Sequence, residues 1–152
     1  MRNFSSIAKV NRATGACEWV LGTYGSTFTF APGAQRFLHE HQFDIRGDHI
    51  LVMDNDGAPG DVSRVLEYQL DVATMTATQV WSYTANPSVY TFVLGEPIRL
   101  PDGGTFVNWS TAGQMERLDP NGTSVWKLNS SAGFAFGFQV LTSTLYGGGV
   151  SP

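Results

Sequence analysis

All three histidines of the chain fall in one stretch, FLHEHQFDIRGDHILVMDNDG, residues 37–57, at positions 39, 41 and 49. Imidazole titrates near neutrality, so a histidine can carry a proton in either direction, or attack an electrophile while neutral. The loop DNDGAPGD, residues 54–61, adds Asp54, Asp56 and Asp61 as oxygen donors for a cation such as calcium. Its spacing does not follow the twelve-residue calcium loop, and Asn, Asp, Gly and Pro are the residues that turns require, so the loop reads as a turn. Cys17 is the single cysteine, which excludes an internal disulfide and makes a cysteine-based metal site implausible. The sequence contains no G-x-S-x-G, no phosphate loop and no His-Glu-x-x-His. GDHILVMD is not a dinucleotide fingerprint, because no helical pattern follows its strand.

The elements that must position these residues are short strands. The chain has 152 residues, enough for one domain with a core, of which 42% are apolar and 14% charged. Seventeen glycines, many aromatic residues and the lack of long helical patterns point to strands joined by tight turns. A net charge of -4 argues against a nucleic-acid partner, which needs a basic footprint. No apolar run is long enough to span a membrane, and the opening MRNFSSIAKVNR has no apolar core of signal-peptide length.

Three segments read as copies of one hairpin: IAKVNRATGACEWVLG (7–22), VLEYQLDVATMTATQVWSY (65–83) and MERLDPNGTSVWKLN (115–129). Each is an alternating strand, a polar turn and a strand bearing a tryptophan, at Trp19, Trp81 and Trp126. A second pair, DIRGDHILVMDN (44–55) and RLPDGGTFVNWS (99–110), precedes two of them. Together these predict a unit of four antiparallel strands, the size of a β-propeller blade. The expected fold is all-β, a partial propeller of about three blades. It comprises a half blade over 5–22, blades over 36–83 and 95–129, and the start of another over 133–148. Propellers typically close with about four to eight blades, so an open arc, a fragment of a larger propeller, is expected. Each tryptophan should lie in the outermost strand and fill the space between blades. The segment carrying His39 and His41 should lie along the innermost strand, facing the channel. Strand alternation then puts His39 and His41 on one face, while His49, beside a turn, should be exposed.

The ordered set EWVLG, FLHEHQFDI, ILVMDNDG, SRVLEYQLD, TATQVWSY, GEPIRLPDGGTFVNW and MERLDPNGTSVWKL resembles the arylsulfotransferase family of β-propellers over nearly the whole chain. The resemblance implies transfer of a sulfuryl group from a phenolic sulfate to a phenol, with no nucleotide donor and no cofactor. It also implies export to the periplasm or beyond. Such chemistry asks for a neutral imidazole and for cations around the sulfuryl oxygens. By position His41 matches the histidine of the family's Q-H motif, with Glu40 standing where Gln is usual, and His39 is a secondary candidate. Arg64, in the S-R-x-x-E-Y match, is the candidate cation; its structural reading is a partner for Glu67 or for a DNDG carboxylate. Arg36 and Arg99 are weaker candidates. Active bacterial members use a further histidine on a later blade, and no histidine follows residue 49 here. The competing expectation is a catalytically inactive propeller that binds carbohydrate or protein.

Overall fold

The structure, a computed structural model, describes residues 1–56, 61–132, 137, 139 and 140. The expected further strands over 133–148 lie largely outside the described residues. Eleven strands are described: β1 (Ser6–Val10), β2 (Cys17–Gly22), β3 (Thr29–Phe30), β4 (Phe43–Arg46), β5 (His49–Asp54), β6 (Arg64–Asp71), β7 (Thr76–Tyr83), β8 (Glu96–Arg99), β9 (Thr105–Asn108), β10 (Gln114–Leu118) and β11 (Ser124–Asn129). Among the described residues the only helical pieces are single 3-10 turns, at Arg2–Phe4 and Ser110–Ala112. The protein is all-β, an open arc of antiparallel meanders with the architecture of a partial propeller. Strands β4–β7 and β8–β11 each run up and down in sequence order, while β1 and β2 form a lone hairpin. One strand was not legible in the sequence. The short β3 pairs parallel to β7, which is therefore not the edge of its sheet.

The three tryptophan hairpins use the same turn device. A side-chain oxygen at the end of the first strand accepts from two backbone N–H groups of the turn: Asn11 Oδ1 from Ala13 and Thr14, and Asp71 Oδ1 from Ala73 and Thr74. Asp119 does the same for Asn121 and Thr123. This is the local bond that favours Asn and Asp at turns. Each hairpin also has the same irregularity of register. Trp19, Trp81 and Trp126 lie opposite Lys9, Glu67 and Arg117, and a β-bulge follows at once in all three.

Strand β5 reads as an unbroken apolar run because both of its faces are covered. Ile50 and Val52 join Leu66, Tyr68, Leu70 and Ala77 in a core closed by Ile7, Trp19 and Leu21 of the β1–β2 hairpin. Leu51 and Met53, with Val65, face the opposite way and meet Val107, Trp109 and Leu118 of the second meander. Trp19 is buried edge-on against Phe28, and Trp81 packs on the second core, so both fill a space between sheets. Trp126 departs from that expectation: it is 45% exposed, and its ring meets Phe106 of its own sheet.

The second core holds one carboxylate, Glu116, with no exposed surface. It accepts from Trp109 Nε1 (2.7 Å), Gln114 Nε2 (3.3 Å), Ser124 Oγ (2.9 Å) and Tyr83 Oη of the first meander (3.2 Å). Lys127 Nζ lies 3.4 Å away. A buried charge is tolerable only when surrounded in this way. Burial and then the Glu116 charge push the Tyr83 phenol well above its ordinary value, so it remains a donor.

Replacing Trp109 by Ala removes a fully buried ring and one donor of Glu116, and should cost about 3–5 kcal/mol in urea unfolding. Replacing Trp126 by Ala should cost less than about 1 kcal/mol. Equal losses would contradict the packing described.

Candidate functional site

The segment carrying His39 and His41 is not a strand. The ladder begins at Phe43, and His39 has a left-handed backbone with φ 53°. Strand alternation therefore does not relate the two histidines, which corrects the expectation of a shared channel face. The physical cause is that side-chain oxygens of Asp54 and Ser5 take the N–H groups of Leu38 and His39. Asp54 Oδ1 accepts from the N–H of Leu38 (2.8 Å), and Glu40 turns inward to accept from the N–H of Ser6 (3.2 Å) and the Met1 amino group (2.9 Å). The N–H of His39 donates to Ser5 Oγ (3.0 Å). Its ring Nδ1 is buried and has no partner among the described residues.

His41 Nδ1 lies 3.0 Å from Asn55 Oδ1. The asparagine's orientation is settled by its other bonds, since Nδ2 donates to the carbonyl oxygens of Thr91 (2.7 Å) and Leu94 (2.9 Å). Oδ1 is thus the atom that faces the imidazole, and it accepts only. Nδ1 of His41 must carry the proton, and the lone pair falls on Nε2. Asn55 has no exposed surface, and Ser63 Oγ donates to its carbonyl (3.2 Å). Ser63 Oγ also accepts from the N–H of Thr91 (2.9 Å), and Thr91 Oγ1 meets Thr111 Oγ1 (2.7 Å). A buried polar network therefore runs from His41 to the second meander.

Burial holds His41 below its ordinary value of 6.5, and the nearby Arg2 guanidinium acts in the same direction. The Asn55 bond, the His39 backbone and the Glu40 charge oppose it without reversing it. The result is an imidazole that is neutral at pH 7 with a fixed tautomer, the form that can act as base or nucleophile.

The other sequence-derived candidates lie elsewhere. Arg64 Nε donates to the fully buried Asp54 Oδ2 (2.7 Å), with Asp56 at 4.0 Å, so its charge is committed to a carboxylate of the DNDG segment. Burial nevertheless raises Asp54 above the usual carboxylate range, against the bonds from Leu38 and Arg64. Arg36 stacks over the Phe30 ring at 4.9 Å. His49 is not the exposed residue expected: it is half-buried with Nδ1 3.1 Å from Glu67 Oε1. Glu67 also binds the Arg99 guanidinium, which lies over Trp81 at 4.7 Å. His49 and Arg99 thus belong to the seam between the two meanders. Residues 57–60 of the DNDGAPGD turn lie outside the described residues, and no cluster of three metal-ligating side chains occurs among the described ones. No described helix is long and apolar enough to cross a membrane.

Two participants were missed in the sequence. Asn55 stood in a motif read only as a turn, and nothing in the sequence connects Arg2 with His41. Both reach the site through tertiary contacts.

The family model described as Arylsulfotransferase (ASST) matches residues 1–131. No curated protein matches the chain.

Between 6.5 and its depressed folded value, His41 is protonated in the unfolded chain but not in the folded one. Stability should therefore fall as pH drops through about 6.5. An NMR titration of the His41 imidazole should give a midpoint below 6.5 with Nδ1 protonated. Replacement by Gln should remove that part of the acid loss. A midpoint above 6.5 would contradict the site as described.

Proposed function

The chain belongs to the arylsulfotransferase family, and from that premise we propose that it transfers a sulfuryl group between phenols with His41 as the reacting group. The observation that carries the reading is the neutral, tautomer-locked imidazole held by a buried asparagine. Nε2 attacks the sulfur of the aryl sulfate, an S–N bond forms, and the S–O bond to the phenol breaks. The departing phenolate takes up a proton. An acceptor phenol then loses its proton as its oxygen attacks the same sulfur, and the S–N bond breaks to restore the imidazole. Protons balance over the two steps, no nucleotide or cofactor is consumed, and the partners are a phenolic sulfate and a phenol. In this scheme Arg64 is a positioning residue. It braces Asp54, whose other oxygen holds the backbone at Leu38, at the start of the segment that leads to His39 and His41. His39 flanks the centre.

One observation favours a second reading, a propeller that binds carbohydrate or protein without catalysis: the motif arginine, Arg64, already has a carboxylate partner. The two are separated by phenol-dependent release of nitrophenolate from 4-nitrophenyl sulfate, using chain shown folded by a cooperative melt. Transfer should occur, and His41→Ala should reduce it by at least about 100-fold. Arg64→Ala should lower both the melting temperature and the rate. No release from the folded wild-type chain would sink the catalytic reading.

A further inference from the structure

We infer that Arg2 is the cation that receives the sulfonate oxygens at the His41 site. The inference rests on the sulfuryl-transfer reading above, but it assigns the anion-binding role to a residue outside every motif.

The first support is location. Arg2 lies in the 3-10 turn Arg2–Phe4, and its Nη2 donates to the carbonyl oxygen of Phe92 (2.7 Å). The neighbouring carbonyls of Thr91 and Leu94 hold the Asn55 amide, which in turn holds His41. One short loop thus anchors both the guanidinium and the amide that orients the imidazole. Arg2 is close enough for its charge to act on His41.

The second support is uncommitted charge. Arg46, Arg64, Arg99 and Arg117 each have a carboxylate within ion-pair distance. Among the described residues Arg2, Arg12 and Arg36 do not. Arg12 sits in the exposed β1–β2 turn, and Arg36 is spent on the Phe30 ring. Arg2 is therefore the uncommitted arginine that shares the loop of the His41 site.

A buried donor left over is the third support. Arg2 Nε is buried and has no hydrogen-bond partner among the described residues. Such a group is costly when unpaired, and its presence calls for an acceptor. The three non-bridging oxygens of a sulfate ester are acceptors, and a guanidinium can meet two of them at once.

The test is calorimetric binding of phenylmethanesulfonate, which cannot transfer its sulfonate, alongside phenol as a neutral probe. The wild-type chain should bind the sulfonate, Arg2→Gln should weaken that binding at least 10-fold, and Arg2→Lys should keep part of it. Phenol binding should be unchanged, and the His41 NMR titration midpoint should rise in Arg2→Gln. Each variant is first shown folded by its melt; should Arg2→Gln fail to fold, Arg2→Lys with the same two probes decides, by a loss confined to the sulfonate. Equal sulfonate binding in wild type and variants would overturn the inference, as would equal loss of both probes or no binding by the wild type. If 4-nitrophenyl sulfate is not turned over while sulfonate binding still depends on Arg2, the catalytic reading fails and this inference stands. If transfer runs at the wild-type rate in Arg2→Gln, the catalytic reading stands and this inference fails.

Discussion

The side chain of Asn55 is the constraint on which the candidate site depends. It is buried, and both of its polar atoms are engaged: two carbonyls of the 91–94 loop take Nδ2, and Oδ1 faces His41. Because an amide has distinct donor and acceptor ends, one end dictates the other. The loop that leads from the first meander to the second therefore fixes the protonation pattern of a histidine on the far side of the chain. Replacing the amide by a carboxylate would reverse that logic. It would remove both donors, strand two carbonyls and favour the imidazolium.

The surrounding architecture explains why polar groups collect there. Strand β5 is buried on both faces and leaves no solvent for the side chains around it, so charged residues there are paired within the seams or sit at strand ends. Glu116 illustrates the first solution, with donors from both meanders around it. Glu67, Arg99, His49 and Trp81 form a second such cluster, which spans the seam between the two meanders. Asp54, Asn55 and the histidine segment represent the other solution. They lie where β5 ends, so its last residues cap an irregular segment instead of extending a ladder.

Much of this fold was readable in the sequence because alternating strands, polar turns and the recurring tryptophans agree with one another. The hairpins at 7–22, 65–83 and 115–129 and the preceding strand pairs fall where those signals place them. The site was less legible. His39 and His41 sit two apart in a stretch with strand-like composition, yet Asp54 and Ser5 take the N–H groups of Leu38 and His39, and His39 adopts a left-handed backbone. Those bonds reach across 16 and 34 residues, which no local pattern encodes. Likewise Arg64 had two readings open to it, and the choice depended on which carboxylate the register places opposite; β5 and β6 set Asp54 against Arg64. The parallel strand β3 is two residues long and carries almost no periodic signal.

The bulge shared by the three hairpins changes the parity of the strand that contains it. In β7, Ala77 lies in the first core and Trp81 packs against the second, although residues four apart on a regular strand point the same way. The extra residue, Val80, is what lets a single strand serve two interfaces. The length of this hairpin is thus as constrained as its buried side chains. Dropping one residue before the tryptophan would turn the ring away from its seam while leaving the composition almost untouched.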